Sequence, residues 1–145
     1  MFKNLAHVGI AVKDLEKSCE LFGRLLGVAP EHVEAVPSQG VRTAMFRMGA
    51  AMLELLAPDG ENSPVTRSIE KRGEGIHHLS FVVDDIHQEL ARLRESGFEL
   101  VEDQPRPGVG GDLVAFLHPR STNGVLIELS QPAGDSRRKK SHGGS

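Results

Sequence analysis

The chain repeats itself. The run His7-Val-Gly-Ile-Ala-Val-Lys-Asp-Leu returns 71 residues later as His78-Leu-Ser-Phe-Val-Val-Asp-Asp-Ile, and Met52-Leu-Glu-Leu-Leu returns 74 residues later as Leu126-Ile-Glu-Leu-Ser. Two matches at nearly one offset point to a duplicated supersecondary unit. In the first copy, Leu5 to Val12 reads as a strand. Asp14 then caps a helix carrying Leu15, Cys19, Leu21, Phe22, Leu25 and Leu26 to a stop at Gly27. Strands are expected at Val28 to Val36, Val41 to Met48 and Ala51 to Leu56, the last two joined by a tight turn at Gly49. The second copy opens with a strand at Ile76 to Val83 and a helix capped by Asp85 with Gln88. Its strands are expected at Phe98 to Asp103, Leu113 to Leu117 and Val125 to Ser130. Ser63-Pro64 starts a connector helix between the copies. The expected fold is α+β: two βαβββ units paired by pseudo-twofold symmetry, about residues 4–57 and 75–131, with the connector near 63–73. Together they form one domain over residues 1–132.

The repeat places chemistry as well as strands. His7 and His78 hold equivalent places on the first strand of each unit, and Glu54 and Glu128 on the last. Side chains alternate along a strand, so Glu54 points away from Leu53 and Leu55. A carboxylate inside an apolar strand needs a partner, because burying it alone is expensive. The plain partner is Arg42 or Arg47. The other is a shared divalent ion, for which two imidazoles and two carboxylates form a suitable mixed N/O set. His77 is expected on the opposite face of its strand, as a structural or supporting residue. Cys19 is expected in the core, with no neighbouring charge to activate it. His118, before Pro119, either joins the site or closes a turn. Gly108-Val-Gly-Gly111 reads either as a flexible hairpin loop or as a cradle where backbone N–H groups approach a substrate oxygen.

Composition narrows the partners. Seventeen Lys and Arg against 20 Asp and Glu leave a charge of −3, which argues against nucleic acid as the main partner. The basic run Arg137-Arg138-Lys139-Lys140 lies in a polar stretch, residues 133–145, expected to be a disordered tail. A single cysteine excludes an intrachain disulfide and suits a reducing cytoplasm. No apolar run approaches the roughly 18 residues of a membrane span, so no membrane partner is expected.

These residues carry a resemblance over about residues 4–131. The duplicated βαβββ pattern resembles the vicinal oxygen chelate superfamily. Gly73-Glu-Gly-Ile-His-His-Leu and Gly110-Gly-Asp-Leu-Val-Ala-Phe-Leu-His-Pro-Arg-Ser, running into Gly124-Val-Leu-Ile-Glu-Leu, look like the methylmalonyl-CoA epimerase family within it. The resemblance implies a racemase/epimerase of propionate metabolism that interconverts (2R)- and (2S)-methylmalonyl-CoA by proton abstraction at C2, through a metal-stabilised enolate. It implies a homodimer and an acyl-CoA substrate. The divalent cofactor would be Co²⁺ first, with Mn²⁺, Ni²⁺ and Zn²⁺ as alternatives. His7, His78 and Glu128 match the family's metal ligands, Glu54 falls where some members place Gln, and Glu128 also matches a residue that moves the proton. Thr43 stands where some members carry a second carboxylate base, so Glu54 is expected to supply or support that face. Substrate contacts are expected at Thr43, Gly110, Gly111 and His118, and CoA phosphate contacts at Arg106 or Arg120. The alternatives are a glyoxalase I-like lyase or a related acyl-CoA enzyme and, from another class, a non-catalytic small-molecule-binding protein of this fold.

Overall fold

A computed structural model describes residues 1–133, and the expected tail lies outside the described residues except for Ala133. The elements are β1 (Phe2–Ala11), α1 (Leu15–Leu26), β2 (His32–Val36), β3 (Val41–Met48), β4 (Ala51–Pro58), α2 (Pro64–Arg72), β5 (Gly75–Val83), α3 (Ile86–Glu95), β6 (Arg106–Pro107), β7 (Leu113–Leu117) and β8 (Ile127–Gln131). Two compact units emerge: Ala6–Leu79, and Met1–Leu5 together with the chain from Ser80 onward. β1 and β5 contribute residues to both.

In the Ala6–Leu79 unit the strand order is β2-β3-β4-β1-β5. Asp14 caps α1 by accepting from the Lys17 N–H at 3.0 Å, and Gly27 ends it in the left-handed region at φ 76°. Two residues, Gly49 and Ala50, separate the paired ends of β3 and β4, and Gly49 turns there at φ 67°. β1 then runs parallel to β4, with His7 beside Met52 and Gly9 beside Glu54. Val12, Leu15, Ala44, Phe46, Leu55 and Ala57 are buried together, with Ile10, Cys19, Phe22, Leu26 and Leu53 packed against them. The core therefore takes alternate residues of β3 and β4. The side chains between them, Thr43, Met45, Glu54 and Leu56, point to the other face of the sheet.

In the second unit the order is β5-β8-β7-β6. Asp85 caps α3 by accepting from the Gln88 N–H, and the Gln131 side chain accepts from the Ile86 N–H at 2.8 Å. Val83, Ile86, Leu90, Leu93, Ala115, Leu117 and Leu129 form the core, flanked by Phe98 and Ile127 among others. Glu128 lies between Ile127 and Leu129, as Glu54 lies between Leu53 and Leu55.

One expected strand is corrected. Phe98 to Asp103 forms no regular strand: Leu100 makes a single bridge to Leu117, and pairing resumes only in the two-residue β6, Arg106 opposite Val114 and Pro107 opposite Leu113. Gly97 sits at φ 93°, and Pro105 and Pro107 carry no N–H to donate, so the ladder cannot close along this edge. β2 likewise begins at His32 rather than Val28, because Gly27 and Pro30 hold the intervening residues in an irregular connection.

Candidate metal centre

Three of the four expected ligands meet in the Ala6–Leu79 unit. β1 presents His7, β4 presents Glu54, and β5 presents His78. The two imidazole Nε2 atoms stand 2.8 Å apart. Glu54 Oε1 lies 3.5 Å from His7 Nε2 and 3.4 Å from His78 Nε2. Glu54 and His78 are buried and His7 is half-buried. Each residue thus offers one donor atom to a common point, and all three donors fall within 4.8 Å of one another.

This donor set fits a divalent ion. Donors bound about 2.0–2.1 Å from a first-row ion lie roughly 2.8–3.4 Å apart at right-angled to tetrahedral openings. The three separations here span 2.8–3.5 Å. Two neutral imidazoles and one carboxylate leave positions for water or substrate. The two arginines of the plain alternative are engaged by other carboxylates, Arg42 by Glu16 at 2.8 Å and Arg47 by Glu31 at 2.8 Å.

His77 takes a supporting place beside His78. Its Nδ1 is 2.9 Å from His78 Nδ1, with the two rings edge to face. The nitrogen of His78 turned away from the trio is therefore engaged, and this favours presentation of Nε2 to an ion. Strand alternation alone hides such a contact, because it fixes Cβ directions and not ring rotation.

The remaining site residues are placed as follows. Glu128 is buried on β8 opposite Phe116, in the second unit. Thr43 is 3% exposed on β3 and faces the same side as Glu54. It is the diagonal neighbour of Glu54 across the β3–β4 pair, within reach of a shared ligand, and its hydroxyl makes no hydrogen bond among the described residues. Gly110 and Gly111 adopt φ 65° and 85° in a short turn before β7. His118 caps the next turn, its Nδ1 accepting from the Arg120 N–H at 3.1 Å, which is the turn-closing role. Arg106 lies 3.4 Å from Glu102, and Arg120 pairs with Glu99 at 2.6 Å. Cys19 packs against the core, and burial pushes its thiol pKa up. Among the described residues no helix is long and apolar enough to cross a membrane.

Comparison with known proteins agrees with the fold. Residues 6–116 match the family model for the Glyoxalase/Bleomycin resistance protein/Dioxygenase superfamily. The ethylmalonyl-CoA/methylmalonyl-CoA epimerase of Cereibacter sphaeroides is 38% identical over 133 residues, 90% of this chain and 99% of the relative. The mitochondrial methylmalonyl-CoA epimerase of Mus musculus is 36% identical over 88% of this chain and 72% of its own. A solved methylmalonyl-CoA epimerase in complex with methylmalonyl-CoA and NH4+ superposes with a TM-score of 0.87 at 37% identity, covering 92% of this chain and 96% of that one. The chain belongs to the Glyoxalase/Bleomycin resistance protein/Dioxygenase superfamily, among relatives that include methylmalonyl-CoA epimerases.

Proposed function

We propose that this chain is a metal-dependent epimerase that interconverts (2R)- and (2S)-methylmalonyl-CoA by removing the proton at C2 and returning it to the other face. The observation that carries this reading is the convergence of His7, Glu54 and His78 in a chain that aligns with methylmalonyl-CoA epimerases along most of its length. His7 and His78 would hold the ion through Nε2, and Glu54 through Oε1. A bound divalent ion would supply Lewis-acid stabilisation of the negative charge that develops as the C2 proton leaves. Co²⁺ is the first choice by resemblance, followed by Mn²⁺, Ni²⁺ and Zn²⁺.

Glu128 is the fourth ligand in this reading and the carboxylate that takes the proton. Its burial and its place on β8, matching that of Glu54 on β4, support the assignment. Thr43 cannot act as a carboxylate base, so Glu54 serves or supports the second face. The buried Thr43 hydroxyl, left without a partner among the described residues, is suited to a substrate oxygen. Gly110 and Gly111 would bring backbone N–H groups to the thioester end of the substrate, and His118, besides closing its turn, is the further substrate contact that the resemblance suggests. A homodimer and a cytoplasmic location complete the reading, the latter in keeping with the lone thiol of Cys19.

The test is conversion of (2S)- to (2R)-methylmalonyl-CoA by protein reconstituted with Co²⁺, beside His7→Ala protein treated alike. Conversion by the wild type and a loss of at least about a hundredfold in the variant support the reading. Turnover of a glutathione hemithioacetal in place of the CoA ester would establish the lyase alternative instead.

A further inference from the structure

We propose that Gly9 is a positioning residue of the metal centre: its missing side chain is the slot that holds the His78 imidazole with Nε2 turned toward His7 and Glu54. Gly9 lies two residues beyond His7 on β1 and beside Glu54 of β4, so a side chain there would project onto the face carrying both ligands. A Cβ built at Gly9 would stand 2.5 Å from His78 Nδ1 and 2.8 Å from His78 Nε2, with Cε1 nearer still. The outer edge of the imidazole occupies the space of the methyl group that alanine would bring.

The ring has little freedom to give way. His78 is 5% exposed, its Nε2 is 2.8 Å from His7 and 3.4 Å from Glu54, and its Nδ1 is 2.9 Å from His77. Any shift large enough to admit a methyl group must break contacts at both ring nitrogens. Glycine inside a strand is otherwise unfavourable, since it loses more conformational freedom on folding than alanine does, and a close approach of another group is a recognised reason for keeping it. Gly9 needs no unusual backbone for this role, which rests on space alone.

The inference builds on the reading of the trio as a metal site, and its test separates the two. Gly9→Ala, His78→Ala and the double variant are compared with wild type in two measurements: thermal stability of the metal-free proteins, and Co²⁺ affinity with the visible absorption spectrum of the bound ion. Gly9→Ala should bind Co²⁺ at least about tenfold more weakly or with an altered spectrum while keeping its circular dichroism. In the His78→Ala background the same substitution should be neutral or raise the melting temperature, because the ring it strikes is gone. Should Gly9→Ala fail to fold, recovery of a folded double variant supports the same slot. Wild-type affinity and spectrum in Gly9→Ala would overturn the proposal, as would an equal loss of stability in both backgrounds. A wild type that binds no Co²⁺ would instead count against the metal reading, while the metal-free comparison still decides whether Gly9 and His78 are coupled.

Discussion

In the proposed reaction, Glu54 is the residue on which the chemistry turns. Its Oε1 lies within 3.5 Å of both imidazoles, so its loss removes a donor and unbalances a buried site. Glu54→Gln should weaken Co²⁺ binding by at least about tenfold, read by titration of the visible spectrum. It should also lower turnover when metal is added in excess, and near-wild-type turnover of the metal-loaded variant would remove Glu54 from the proton-transfer path. Thr43 makes the opposite kind of prediction. Its hydroxyl is buried without a partner among the described residues, so Thr43→Val, nearly isosteric, should stabilise the ligand-free protein by roughly 1 kcal/mol. The same change should cost about tenfold in kcat/KM if the hydroxyl meets substrate. Raised stability with unchanged kinetics would assign Thr43 to packing alone.

At the scale of elements, what could be read from the residues followed from pattern and caps. Short strand-forming runs bounded by turn residues placed β3 and β7, Asp14 and Asp85 marked the helix starts, and the repeat aligned His7 with His78 before any contact was known. The segment after α3 was not legible in the same way. Phe98 to Asp103 has strand-like composition, yet the prolines beside it decide the ladder, and a propensity argument weighs side chains more heavily than missing N–H groups. The slot at Gly9 was hidden for a different reason, since only the path of the His78 ring reveals why glycine is needed there. α3 supports a pH prediction. Glu89 is buried and accepts from Arg92 at 3.0 and 3.3 Å, and that guanidinium holds its carboxyl below the ordinary value of 4.5. A lowered carboxyl pKa contributes stability above the unfolded-state value, and that contribution is lost as pH falls through the folded-state value. Glu89→Gln should therefore melt lower than wild type at pH 7, with the gap narrowing below about pH 4.5 in thermal scans. A gap independent of pH would mean that the pair is not ionic.

Across the whole molecule, duplication yields two units with separate cores, one around Phe46 and Leu55 and the other around Ile86 and Leu129. Both leucines are fully buried. Leu55→Ala and Leu129→Ala should each cost about 2–5 kcal/mol in denaturant titrations, and a markedly smaller loss for either would mean that its core readily collapses around the gap. Function asks more of the chain than folding does, because the three donors come from three strands and must converge within a few ångström. The most direct test of the central claim is exchange of the C2 hydrogen of methylmalonyl-CoA in heavy water, followed by mass spectrometry, with Co²⁺-loaded protein and with protein stripped by EDTA. Rapid deuterium incorporation with metal, at least about a hundredfold slower after stripping and restored when Co²⁺ is returned, is the predicted result. Exchange that is absent with metal, or equally fast without it, would contradict the account.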